Sequence, residues 1–381
     1  MVETESRVAR DERSRVTCDE HSRVVVAMSG GVDSSVAAAL LVEQGYDVIG
    51  VMMRLWAEEP TPGGAGGQNR CCAPQAVDDA RYVAAQLGIP FYLVNYREAF
   101  RARVVDYFVD EYSRGRTPNP CLACNRYIRF GRLLQQALAL DAQYLATGHY
   151  ARIDSNGGGF RLRMGCDRRK DQSYVLYMLG QEELRHVVFP VGGLTKPQVR
   201  DMARERDLPV ADRDESMELC FVADDDYRRF LREHAPQAVQ PGPILDTSGR
   251  EIGRHQGLPF YTIGQRRGLG IAAPEALYAL RLDVADNALV VGPARELGRQ
   301  RLVAQGVSYV RGDPPPHPVR VQAKIRYKAT LAGALWTPLA GDRARVEFDV
   351  PLRDITPGQA VVAYQGDAVL GGGIIDRTEE E

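Results

Sequence analysis

The chain has 381 residues, 44% of them hydrophobic and 26% charged, with a formal net charge of −2. These values describe a folded protein of two or three domains and exclude one that coats polyanions over its whole surface, while leaving local basic patches open. No apolar run reaches membrane-spanning length and the N-terminus lacks an apolar signal core, so a cytoplasmic protein with no membrane contact is expected.

Residues 1–22 are rich in Glu, Arg, Ser and Asp, lack periodicity, and read as a disordered leader. A β-branched run from Val24 to Val26 follows. It meets the turn Ala27-Met28-Ser29-Gly30-Gly31-Val32-Asp33-Ser34 and passes into a helical segment that ends at Gly45. Gly30 and Gly31 admit backbone amides to an anion, Ser29, Ser34 and Ser35 add hydroxyls, and the open N–H groups of the helix point to the same place. The turn therefore reads as a phosphate loop. The chain has no G-x-x-x-x-G-K-[ST] and no lysine near the loop, which disfavours kinase or GTPase chemistry. Ser29 to Ser34 resemble the SGGxDS loop of the ATP pyrophosphatases, which split ATP between the α and β phosphates and adenylate a substrate.

From 23 to about 215, short apolar runs alternate with helical patterns, as in an α/β fold with a doubly wound parallel sheet. The pattern predicts strands over 47–55, 91–95 and 144–147, a hairpin over 151–164, helices over 74–87, 98–113 and 171–179, and another opening at Lys196. A Pro/Gly-rich loop over 59–68 reads as mobile. In Thr117-Pro118-Asn119-Pro120-Cys121-Leu122-Ala123-Cys124-Asn125 two prolines forbid regular structure, so a helix is expected only from about Asn125. Gly148 and His149 end a strand where such a sheet opens its ligand crevice, and His149 reads either as facing it or as a structural histidine. The catalytic domain is taken as 23–219. A small connecting domain follows over 220–277 with a helix at 224–234, then an all-β barrel over 278–381 with a hairpin turn at Asp286-Asn287.

Cysteines stand at 18, 71, 72, 121, 124, 166 and 220, an odd number in a chain expected in a reducing compartment. Metal, redox or nucleophilic roles remain for them. Cys121 and Cys124 make half of a zinc motif without a matching second half, and Cys220 reads either as reactive or as buried and inert. Thiolate chemistry accommodates a persulfide on one cysteine and a second that attacks it, with Cys124 gaining from the helix dipole. Only four lysines occur, and the clusters Arg161 to Arg163, Arg168 to Lys170, Gln265 to Gly268 and Arg320 to Lys328 suit a phosphate backbone, RNA being favoured.

The loop Ala27 to Ser34, Thr117 to Pro120 with Cys124-Asn125, Ala146 to Tyr150, Lys170 to Tyr174, Phe189 to Gly192, Lys196 to Arg200, Cys220-Phe221, Gly253 to Gly257, Gly264 to Gly270 and Thr356 to Gln359 together resemble the bacterial tRNA 2-thiouridylases. The likeness runs in order from 23 to 376. It implies that Ala27, Met28, Ser29, Gly30, Gly31, Val32, Asp33, Ser34, Met53 and Gly148 bind ATP, with Mg2+. Cys124 is implied as nucleophile and Cys220 as the persulfide carrier, with His149, Lys170, Asp171, Gln172, Arg326, Tyr327 and Gln359 on tRNA. The implied reaction adenylates the C2 oxygen of wobble uridine 34 in tRNAs for Lys, Glu and Gln, then installs sulfur supplied by a cysteine desulfurase or relay protein. Well-known members carry an aspartate, a proposed general base, where this chain has Cys121. A [4Fe–4S] cluster on Cys121, Cys124 and Cys220 therefore stands beside the cluster-free persulfide route. Alternatives are another adenylating synthetase, which needs an ammonia source this chain lacks, and a non-catalytic RNA-binding module, which would not turn over ATP.

Overall fold

The computed structural model describes residues 22–58, 74–155, 157–213, 219–222 and 224–379. The leader read over 1–22, apart from Ser22, the loop read as mobile over 59–68, and Cys18, Cys71 and Cys72 lie outside the described residues.

In chain order the first half contributes β1 (Arg23–Ala27), β2 (Asp47–Arg54), β3 (Phe91–Asn95), β4 (Tyr144–Thr147), β5 (Ala151–Ser155), β6 (Phe160–Met164) and β7 (Val187–Val188). Five of them form a parallel sheet in the order β3-β2-β1-β4-β7. Helices cover both faces of β1. Val25 enters one apolar cluster and Val24 and Val26 the other, all fully buried, which is why this strand reads as a continuous hydrophobic run rather than an alternating one. Each such side chain contributes roughly 1.5–3 kcal/mol of burial. The chain leaves β1 for β2 on one side and returns to β4 on the other, so a crevice opens at the carboxyl ends of β1 and β4.

Next come β8 (Gly242–Leu245), β9 (Glu251–His255), β10 (Leu277–Asp283) and β11 (Ala288–Pro293), in the sheet order β10-β11-β8-β9. The hairpin 277–293, assigned to the barrel by the sequence reading, thus pairs with the middle region. Its turn is held there: His255 Nε2 is 2.9 Å from the Asn287 carbonyl, and Asn287 Nδ2 donates to the carbonyls of Gln240 and Pro241. The last six strands are β12 (Arg299–Tyr309), β13 (Val319–Lys324), β14 (Ala332–Leu339), β15 (Arg343–Leu352), β16 (Ala360–Gln365) and β17 (Ala368–Glu379). They close into an antiparallel barrel through a β12–β17 pairing around the fully buried Trp336.

Two other expectations change. The helix expected over 171–179 is one 3-10 turn, Ser173–Leu176, because the Asp171 carboxylate takes the N–H groups of Gly165 and Ser173 in place of helical bonding. The helix expected from Asn125 begins at Pro120, since Asn119 caps it and proline is at home in a first turn. No helix among the described residues is long and apolar enough to cross a membrane.

The barrel grips the catalytic half at several places. Strand β6 extends the barrel sheet beside β17. The turn Thr356 to Gln359 holds Thr117, whose N–H donates to the Pro357 carbonyl at 2.9 Å and whose carbonyl accepts from Gln359 Nε2 at 2.8 Å. Gly358 has φ +94°, and a Cβ there would meet the Thr117 N and C atoms at 2.9 and 3.0 Å. Gly358→Ala is expected to cost about 1–3 kcal/mol, read as a thermal midpoint lowered by several degrees, while Gly341→Ala on an open barrel turn produces a smaller fall.

Candidate active site

Helix α1 (Val32–Glu43) starts at the end of the β1 turn with Gly31 as its cap residue and no side-chain cap. Its first amides stay open to an anion. Gly30 has φ +71°, and a Cβ on it would strike the Ala76 carbonyl. The serines do less donating than the sequence reading gave them. Ser34 and Ser35 are buried and their hydroxyls donate back to the Gly31 carbonyl, both at 3.0 Å, so they shape the loop, and of the three only Ser29 is exposed. At the end of β4, a Cβ on Gly148 would lie 2.7 Å from the Ser34 amide nitrogen, so only glycine lets these two turns touch. Met53 is buried near the carboxyl end of β2, in the same apolar cluster as Ala27.

A lysine does stand at the loop. Lys196 Nζ donates to both Asp33 carboxylate oxygens, at 2.7 and 2.8 Å, and Tyr150 Oη donates to Asp33 Oδ1 at 2.7 Å. Lys196 opens the helix Lys196–Glu205, which is fixed by Thr195 and Gln198 at its cap and by Asp167 accepting the Lys196 N–H. Distance in sequence hid it, since 163 residues separate the partners. The available signal was a helix start, Lys196-Pro197, in a fold whose helices pack against the sheet. Arg213 closes the other side, donating to the Gly30 carbonyl at 2.9 Å and pairing with Asp79.

The cysteine turn is built from Arg116 onward. Arg116 pairs with Glu111 and donates to the Ile375 carbonyl, and Asn119 accepts the Cys121 N–H at 3.1 Å. Cys121 is exposed, and Cys124 is 9% exposed. From Cys124 to Leu133 the backbone widens to a π-helix, a form that gathers at functional sites. Cys124 is the fifth helical residue, so the helix dipole, which fades within a turn, favours Cys121 rather than Cys124, a reversal of the sequence reading. Cys220 packs on the apolar cluster that contains Cys124, and its neighbour Phe221 is locked edge-on among Phe100, Phe108 and Phe230.

The residues that the resemblance put on tRNA divide in two. Arg326 is exposed, 3.3 Å from Asp354, Tyr327 lies against the Tyr174 ring, and Lys170 is half-buried. The rest face inward. Asp171 is 5% exposed and 3.5 Å from Lys324 Nζ, and Gln172 accepts the Tyr150 N–H. Gln359 holds Thr117. His149 is buried between Phe130 and Phe189 with Nδ1 2.7 Å from the Thr147 hydroxyl, and burial holds its pKa well below the usual imidazole value, so it is neutral. Among the described residues, Glu58, Glu233 and His234 are the one set of three close enough to share an ion, and Arg229 already pairs with both carboxylates. Cys121, Cys124 and Cys220 do not all lie within 4.8 Å of one another, so they do not fit a single ion.

Three family models match the chain in order: the tRNA methyl transferase HUP domain over 22–224, the tRNA methyl transferase PRC-barrel domain over 228–293 and the aminomethyltransferase β-barrel domain over 299–375. The tRNA-specific 2-thiouridylase MnmA of Moorella thermoacetica is 53% identical over 354 residues, covering 92% of this chain and 99% of that protein. Those of Symbiobacterium thermophilum and Roseiflexus castenholzii are 53% and 50% identical, covering 93% of this chain each and 92% and 100% of the relatives. An uncapped glycine turn after β1, a cysteine-bearing helix and these full-length likenesses agree: the chain belongs to the tRNA-specific 2-thiouridylases, sulfurtransferases of the ATP-using phosphate-loop class that act on tRNA.

Proposed function

We propose that this protein thiolates uridine 34 of the tRNAs for Lys, Glu and Gln in the cytoplasm, drawing sulfur from a cysteine desulfurase or a relay protein. The observation that supports the site assignment is that Ala27, Met53 and Cys124 belong to one continuous buried cluster, with Cys220 packed on it. ATP binds through Ala27 to Ser34, Met53 and Gly148. Mg2+ would enter with the triphosphate, with Asp33 as the loop carboxylate suited to it.

The uridine C2 oxygen attacks the α-phosphate and pyrophosphate leaves. The terminal sulfur of a Cys220 persulfide then attacks C2 and the C2–O bond breaks, its electron pair departing with AMP. Cys124 as thiolate attacks the Cys220 sulfur, so that the S–S bond of the adduct breaks, 2-thiouridine is released and a Cys124–Cys220 disulfide remains for an external thiol to reduce. Lys196 balances Asp33 at rest and supports negative charge at the loop when ATP is bound. Of the residues carried over to tRNA, Lys170, Arg326 and Tyr327 make the outer contacts. Asp171, Gln172, His149 and Gln359 shape the surface from beneath.

One observation favours a second reading of the sulfur step. Cys121 and Cys124 are one helical turn apart, hence on one face, and with Cys220 they supply the three thiols that a [4Fe–4S] cluster with an open iron would use. When bound, that cluster would supply a site for sulfide.

The test is anaerobic incubation of the protein, its iron content recorded, with unmodified tRNA(Glu) transcript, Mg-ATP and a desulfurase or sulfide, read as retardation in a mercury-containing gel. Retardation is expected to require ATP and to vanish in Cys124→Ser and Cys220→Ser while AMP release continues. Cys121→Ala separates the sulfur routes: unchanged activity with no loss of iron excludes the cluster, and joint loss of iron and activity excludes the cluster-free route. Lys196→Met is expected to slow AMP formation about 100-fold with tRNA affinity unchanged; an unaltered rate would remove Lys196 from the phosphate site.

A further inference from the structure

The helical run from Pro120 to Ala139 contains Arg126, Arg129 and Arg132 and no acidic residue. Two of these arginines have structural work. Arg126 donates to the Ser308 hydroxyl of the barrel at 2.8 Å, and Arg132 sits 5.6 Å from the centre of the Tyr96 ring. Arg129 differs. It is half-buried, its guanidinium donates to Asn125 Oδ1, and no carboxylate among the described residues lies within ion-pair reach of it. Asn125 is itself fixed, 2% exposed, with Nδ2 donating to the Val175 carbonyl at 2.9 Å. Drawing a guanidinium partly out of water without a counter-ion is unfavourable unless an anion arrives.

Its position says where that anion would be. A helix that bonds i to i+5 turns less per residue than an α-helix, so the widened stretch that begins at Cys124 leaves Arg129 closer to the face of Cys124 than α-helical winding would. The positive charge of Arg129 also reaches His149, helping to keep that ring neutral, and His149 follows Gly148, which touches the phosphate loop. Arg129 is thus one widened turn along the helix from Cys124 and near enough to His149, the neighbour of Gly148, for its charge to be felt there.

We propose that Arg129 receives a phosphate oxyanion of the bound substrates beside the Cys124 sulfur. Its planar fork of donors matches phosphate, and Asn125 aims it. The chemistry fits either the adenylyl phosphate on the activated uridine, where Arg129 meets the charge that develops as AMP leaves, or the backbone phosphate of the target nucleotide. The assignment rests on Cys124 as the reacting thiol.

The experiment uses the full chain with unmodified tRNA(Glu) transcript and ATP labelled at the α-phosphate. Arg129→Gln is expected to do one of two things. If the adenylyl phosphate is the ligand, labelled adenylated RNA accumulates and its breakdown slows tenfold or more, with tRNA affinity unchanged. If the backbone phosphate is the ligand, tRNA affinity falls about tenfold and the salt dependence of binding drops by about one charge. Arg129→Lys is expected to restore most of either effect. Unchanged tRNA affinity and salt dependence together with unchanged breakdown of the adenylated RNA overturn the proposal. Should Arg129→Gln fail to fold, phenylglyoxal labelling of the wild-type protein decides: protection of Arg129 by tRNA with ATP supports the proposal, and equal labelling with and without them overturns it. Cys124→Ser, run in parallel, keeps the two readings apart, since thiolation by that variant would refute the role of Cys124 whatever Arg129 does to binding.

Discussion

Helix α1 starts with no side chain on its first amides, and much of the catalytic half is arranged to make that tolerable. Helices usually begin at Ser, Thr, Asp or Asn, whose oxygens satisfy the open donors. Here Gly31 stands at that position and no side chain caps the donors. A bare turn of this kind needs outside support. Arg213 holds the Gly30 carbonyl, Lys196 and Tyr150 hold Asp33, and the main chain at Ala76 and Gly148 closes to distances that only glycine permits. The sheet order brings these segments to the carboxyl ends of β1 and β4 from widely separated parts of the sequence.

The cysteine turn depends on a different support. Its entry is fastened to the barrel through Thr117 and Gln359 and through Arg116 and the Ile375 carbonyl. Cys220 is placed by Phe221, whose ring is gripped by Phe100 and Phe108 of the first region and by Phe230 of the middle one. The relative placement of the two thiols therefore depends on how all three regions pack. A barrel that only carried RNA would not need to touch the cysteine turn, and this one bonds directly to the residue that precedes its first proline.

What could be read from the sequence followed from local chemistry. Val24 to Val26, the Gly30-Gly31 turn, the cap at Gly45 and the proline-led cysteine segment each encode their structure within a few residues, and the parallel sheet, the phosphate loop and the barrel were legible from them. Readings that depended on tertiary contact came out differently. Asp171 looked like a helix start, but its carboxylate is taken by Gly165 and Ser173. Gly306 and Pro338 interrupt the local patterns of β12 and β14, and barrel pairing holds both strands nonetheless. Lys196 at Asp33 and Arg129 at Asn125 were invisible for the same reason: one needs the sheet topology, the other the fold that leaves Arg129 without a carboxylate.

Charge makes the last connection. With a net charge near zero, binding to a polyanion depends on which basic groups lack acidic neighbours. Several of the clusters that suggested RNA are neutralised within the fold: Arg161 by Asp154, Arg163 by Asp154 and Asp367, Arg320 by Asp349, and Lys324 by Asp171. Those pairs tie β5, β6 and the barrel together and leave little field outside. Arg266, Arg267 and Lys328, by contrast, are exposed and have no carboxylate within ion-pair reach among the described residues. The basic groups of these clusters left open to a polyanion thus include Arg168 and Arg169 of the catalytic half, Arg266 and Arg267 of the middle region and Lys328 of the barrel.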